Sequence, residues 1–74
     1  MKFKVGDIIK YHTERLYVLL VTGKTDSEYN LTIISSNYRG LNPGHTFTGY
    51  LSVENSYSLI GHVEDPNDIL KGML

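Results

Sequence analysis

The run Leu16-Tyr17-Val18-Leu19-Leu20-Val21-Thr22 constrains this chain more than any other segment. Seven residues without a charge are too few for a buried helix, and Tyr, Val and Thr are types that suit a pleated surface. The run reads as a strand. It does not alternate apolar with polar, so it predicts burial on both faces, or one face in a core and the other under a loop. The rest of the chain must build a sheet around it. The composition agrees: Ala, the best helix former, is absent, while Val, Ile, Thr and Tyr make up 23 of the 74 residues.

Neighbouring segments supply the other strands. Val5-Gly6-Asp7 is turn chemistry that feeds a strand from Asp7 to His12, with Ile9 and Tyr11 on one face. The central run is then expected to turn through Gly23-Lys24-Thr25-Asp26-Ser27. A third strand, Glu28 to Ser35, would carry Tyr29, Leu31 and Ile33 on one face and Asn30, Thr32 and Ile34 on the other, forming a hairpin with its predecessor. The irregular stretch from Ser36 to Gly49 holds Gly40, Asn42-Pro43-Gly44 and Gly49, and a short strand from Thr46 to Leu51 occupies its second half. Ser52 to Ser56 reads as a turn or a single 3₁₀ turn, followed by a last strand from Tyr57 to His62. Asp65 can cap a short terminal helix, with Pro66 at its first position and Asp68 favouring its N-terminal dipole. Ile69, Leu70 and Met73 would form the apolar side of that helix.

Five short strands joined by tight turns must hide their edges. The expected fold is therefore mostly β: a small five-stranded barrel, closed or partly open, over residues 1–64, with a helical tail, 65–74, packed on or beside it. Several segments resemble those of SH3-like β-barrels: Phe3-Lys4-Val5-Gly6-Asp7-Ile8-Ile9-Lys10-Tyr11, Tyr17 to Val21, Tyr29 to Ile34, and Val53 to Ile60. The resemblance spans residues 3–62. Short proteins of this layout occur among bacteriophage host-takeover factors, so the resemblance implies a phage-encoded inhibitor or modulator of a host protein. The proline-peptide groove of eukaryotic SH3 domains needs a Trp platform, and this chain has no Trp.

Chemistry-bearing motifs are scarce. There is no Cys, hence no disulfide, thiolate metal site or cysteine nucleophile. Gly23-Lys24-Thr25 matches the end of a phosphate-binding loop, but Val18 stands where that loop needs another Gly. His12-Thr13-Glu14 lacks the Cys pair of a zinc deaminase. His12, His45 and His62 are too far apart for a local metal motif, and no Ser sits in a Gly-x-Ser-x-Gly elbow. We expect no enzyme activity, no cofactor and no metal. No apolar run approaches a membrane span, and the start of the chain lacks a secretory apolar stretch, so the expected location is cytoplasmic, within the host if the chain is phage-encoded.

What remains is surface. The stretch from Ser36 to Tyr50 concentrates Tyr38, Arg39, His45, Phe47 and Tyr50, and Tyr and Arg are enriched at binding hot spots. These five residues are the expected contacts to a protein partner. A second reading is nucleic-acid binding. Residues 1–24 carry Lys2, Lys4, Lys10, Arg15 and Lys24 against two acids, a local +3, although the whole chain is at −1. Those cations would meet phosphates, with Tyr11 or Tyr17 stacking on bases. A third is a virion or assembly protein that associates through open edges and the tail from Ile69 to Leu74. A monomer with the tail folded back is favoured over a homo-oligomer.

Overall fold

The computed structural model describes residues 2–11, 17–36, 42–50 and 52–73. Its strands are β1 (Asp7–Tyr11), β2 (Tyr17–Lys24), β3 (Glu28–Ser36), β4 (Thr46–Tyr50) and β5 (Tyr57–His62). A one-turn helix α1 (Val53–Ser56) links β4 to β5, and α2 (Asn67–Met73) ends the described chain. The strands form one antiparallel sheet in the order β4-β3-β2-β1-β5. The mostly β fold with a short terminal helix is as expected. Of the closed and partly open forms the expectation allowed, the described residues show no closure: β4 and β5 stay at opposite ends of the strand order, so barrel is a loose description of this sheet.

Alternation places the core. Ile9, Leu19, Val21, Tyr29, Leu31, Ile33 and Tyr57 face one side and bury together with Phe3, while Tyr11, Tyr17 and Phe47 pack partly against them. On the other side Leu20 is also buried, between its partners Ile8 on β1 and Thr32 on β3. The central strand is thus covered on both faces, the condition its unbroken apolar sequence demanded. β2 runs to Lys24, two residues beyond the expected Thr22, because a register break between Val21 and Gly23 lets Gly23 and Lys24 rejoin the ladder opposite Asn30 and Tyr29. The turn shrinks to three residues, closed by Thr25 N–H to Glu28 C=O at 2.9 Å. His12, Leu16 and Leu51, expected at strand ends, lie outside the described residues.

Gly6 and Asp7 tie the sheet together. Gly6 takes φ +97° and donates its N–H to Val21 C=O at 2.8 Å, while its own C=O accepts the Val63 N–H at 2.9 Å. One residue therefore links β2 to the segment leaving β5. The carboxylate of Asp7 is buried and doubly engaged, accepting the Lys4 N–H at 2.9 Å and facing His62 Nδ1 at 2.7 Å. At the other end of the chain, Asp65 Oδ1 accepts the Asn67 N–H at 3.0 Å and caps α2, with Pro66 at the first position. Ile69 and Leu70 are half-buried.

A Cβ on Gly6 would sit 2.1 Å from the Val63 carbonyl oxygen, in a backbone conformation that side chains rarely adopt. Gly6→Ala should therefore cost about 3 kcal/mol or more in urea unfolding, a large share of a small domain's stability. A loss below ~1 kcal/mol would show that this junction does not hold the sheet.

Candidate functional site

Edge strand β4 begins with a turn whose chemistry is local. In Asn42-Pro43-Gly44-His45 the His45 N–H donates to Asn42 C=O at 3.2 Å, Pro43 occupies the second position and Gly44 the third, at φ +93°. These are the requirements of a type II turn. Gly44 N–H then donates to Ile33 C=O at 2.7 Å, and Ile33 N–H donates to His45 C=O at 2.9 Å. Two residues of one strand thus oppose one of the other, a bulge with glycine in its first position.

This bulge sets the parity of the strand. An antiparallel ladder alternates hydrogen-bonded and non-bonded pairs. Counting from Ile33/His45, the bonded pairs are Leu31/Phe47 and Tyr29/Gly49, in the register observed. The backbone N–H and C=O groups of Thr46, Thr48 and Tyr50 are consequently turned away from β3, towards the edge where no strand among the described residues pairs with β4. Their side chains are exposed too, Tyr50 at 70%. Phe47 is half-buried against the core, and its ring lies 6.3 Å from His45 at an interplanar angle of 25°. Thr32 and Thr46 share a hydroxyl contact at 3.2 Å. No charged side chain occurs in β4.

Three of the five expected contact residues, His45, Phe47 and Tyr50, therefore gather on β4 and its lead-in. Tyr38 and Arg39 lie outside the described residues. The expected cationic patch is divided. Lys2 Nζ lies 5.5 Å above the Phe3 ring and donates to Glu54 C=O at 3.3 Å, and Lys24 Nζ reaches Phe3 C=O at 3.5 Å. Lys10 pairs with Val18 and Ser58, six strand positions from Lys24 along β2, roughly 20 Å at the usual rise. Lys4 is exposed, and Arg15 lies outside the described residues.

Two polar constellations had no local signal in the sequence. Tyr11, Tyr17 and Tyr57 cluster with ring centroids 5.0 to 6.2 Å apart, and Tyr57 donates its hydroxyl proton to Tyr17 at 2.8 Å. Burial, then the Tyr17 hydroxyl, pushes the Tyr57 phenol well above its ordinary value. The second is built on Tyr29, whose hydroxyl donates to the Glu54 carboxylate and accepts the Phe3 N–H at 3.1 Å. The Lys2 backbone N–H reaches the same carboxylate at 2.6 Å. The Tyr29 hydroxyl first, and the Lys2 N–H second, hold Glu54 below the ordinary 4.5. Burial chiefly raises Tyr29. No protein-family model, curated protein or solved structure matches this chain.

The signs of these shifts define two pH limbs. Glu54 is lowered on folding, so its contribution is present above about 4.5 and is lost as pH falls through the lower folded value. Tyr29 and Tyr57 are raised, so theirs is present below about 10 and is lost as pH rises towards their folded values. Thermal midpoints should fall on both sides of a neutral plateau. Glu54→Gln should flatten the acid limb, and Tyr57→Phe the alkaline one. Limbs identical to those of the unaltered chain would remove these groups as their source.

Proposed function

We propose that this chain is a non-enzymatic protein-binding module whose contact surface is the β4 edge with His45, Phe47 and Tyr50. The observation that carries the reading is Tyr50, 70% exposed on an uncharged edge strand. A tyrosine offers broad contact area with few rotors to freeze. A strand edge with outward N–H and C=O groups offers main-chain pairing to an extended partner segment. Edges that must stay unpaired normally carry Lys, Pro or a bulge. β4 carries its bulge only at the entrance, and its five residues Thr-Phe-Thr-Gly-Tyr contain none of the other guards.

The resemblance to SH3-like barrels supports a binding role and, for a phage-encoded chain, a host protein as the partner in the host cytoplasm. Among the described residues no helix is long and apolar enough to cross a membrane. The nucleic-acid reading is weaker because Lys2 and Lys24 both make internal contacts around Phe3.

Immobilised chain should retain a specific protein from bacterial lysate, and the double substitution His45→Ala with Tyr50→Ala should reduce retention at least ~10-fold. The far-ultraviolet circular dichroism should not change, since both side chains are exposed. Equal retention by the variant would overturn the assignment of this edge. Binding to RNA or DNA at ~50 mM salt that falls steeply as salt rises would move the function to nucleic acid.

A further inference from the structure

Of the eight residues in the buried core cluster, seven stand on paired strands and Phe3 does not. Contacts supplied by side chains hold it instead. Its N–H donates to the Tyr29 hydroxyl at 3.1 Å, its C=O accepts from Lys24 Nζ at 3.5 Å, and its ring packs on Tyr29. The preceding Lys2 is exposed, and its ties run to Glu54 of α1. Its N–H donates to Glu54 Oε2 at 2.6 Å and its Nζ to Glu54 C=O at 3.3 Å. The Tyr29 hydroxyl donates to the same Oε2, so one carboxylate oxygen gathers the fastenings of both residues.

On the other side of Phe3 the chain is anchored differently. Asp7 grips Lys4 twice, accepting its N–H on Oδ2 at 2.9 Å and donating to its C=O at 3.0 Å. Gly6 then bonds to Val21 and Val63 through its backbone. Everything from Lys4 onward is thus built into the sheet. At the far end of the latch, α1 is a single turn, which gains too little to persist by itself. Among the described residues, its hydrogen bonds to the rest of the chain run to Lys2 and Tyr29.

We propose that Lys2-Phe3 is a strap latched by Glu54, which swings out at Lys4 as α1 loosens, while the five strands stay paired. Opening withdraws one ring from the core and leaves the other seven members of the cluster in their ladders. The strap and α1 open together because each is the other's anchor through Glu54. The open form bares the Tyr29 ring beside the Glu54 carboxylate, a recess that Phe3 and Lys2 fill in the closed form. This motion is independent of what pairs with β4.

Amide exchange of the full chain at about pH 6, where Glu54 is ionised, tests the proposal. The N–H groups of Phe3 and Asn55, which donate to Tyr29 and Ser52, report the strap and α1. Those of Gly6 and Val63 report the sheet. Phe3 and Asn55 should share one protection factor, at least ~10-fold below that of Gly6 and Val63. Leu20→Val thins the opposite face of the sheet, which is buried in open and closed forms alike. It should lower the Gly6 and Val63 protection at least ~3-fold and leave Phe3 and Asn55 unchanged. Glu54→Gln removes the charge that accepts both ties, and should lower Phe3 and Asn55 together by about tenfold. Circular dichroism reads whether each variant keeps its sheet. Equal protection at all four amides overturns the strap, because Phe3 would then leave only when the whole fold does. A Leu20→Val effect on Phe3 as large as that on Gly6 overturns it for the same reason. If Glu54→Gln leaves Phe3 unchanged, or moves Phe3 without Asn55, Glu54 is not the latch and the proposal fails.

Discussion

The sheet depends on a junction at Gly6 where three chain segments meet without a side chain between them. Its N–H reaches Val21 of β2 and its C=O reaches Val63 beyond β5, while the next residue starts β1. β1 can lie between β2 and β5 only if the chain turns into it tightly, and the positive φ of Gly6 is what permits the turn. Asp7 then removes the polar cost of that geometry. One carboxyl oxygen satisfies the Lys4 N–H left over by the turn and the other faces His62, so the buried side chain has a partner on each oxygen.

The same junction directs the N-terminal segment across the core. Phe3 is buried against Tyr29, with ring centroids 5.7 Å apart, and Lys2 is fastened to Glu54 of α1. Because α1 lies between β4 and β5 in the chain, Lys2 ties this segment to the connection between the two end strands. It does part of what closure into a barrel would have done, shielding apolar surface without pairing β4 to β5.

That substitution explains what was legible in the sequence and what was not. β-forming residues bounded by turn signals mark the strands: the bounds read for Tyr57–His62 match those observed, and Asp65-Pro66 announces the cap of α2. Asn42-Pro43-Gly44 announced its turn because Pro and positive-φ Gly have fixed places in one turn type. Register breaks left no trace, since a bulge is a choice of backbone geometry open to many side chains. The breaks after Val18, after Val21 and at Ile8/Ile9 decide how far β2 runs and how β5 lies. Whether the sheet closes is set by such accumulated offsets, so the sequence could not report it. The Tyr11–Tyr17–Tyr57 cluster was hidden for a similar reason, since Tyr57 joins it only through its pairing with Tyr11 across a long stretch of chain. At the candidate site the residue types were readable, but not the assignment of Phe47 to the core and Tyr50 to solvent. That assignment follows from one pair, Ile33 with His45, which sets the phase of everything after it.

Binding at β4 is thereby coupled to the stability of the fold. β3 carries Tyr29, Leu31 and Ile33 into the core, and the same residues oppose Gly49, Phe47 and His45 of β4. A small chain buries a modest fraction of its surface and is marginally stable. An occupant that pairs with the outer side of β4 meets only the native strand, so it stabilises the folded state by mass action. The coupling also runs the other way. Weakening the Tyr29 to Glu54 and Phe3 contacts loosens β3 from beneath and raises the cost of ordering β4 for a partner. The residues that hold the core and those that meet a partner are two sides of one hydrogen-bonded pair of strands, and changes on either side are expected to be felt on the other.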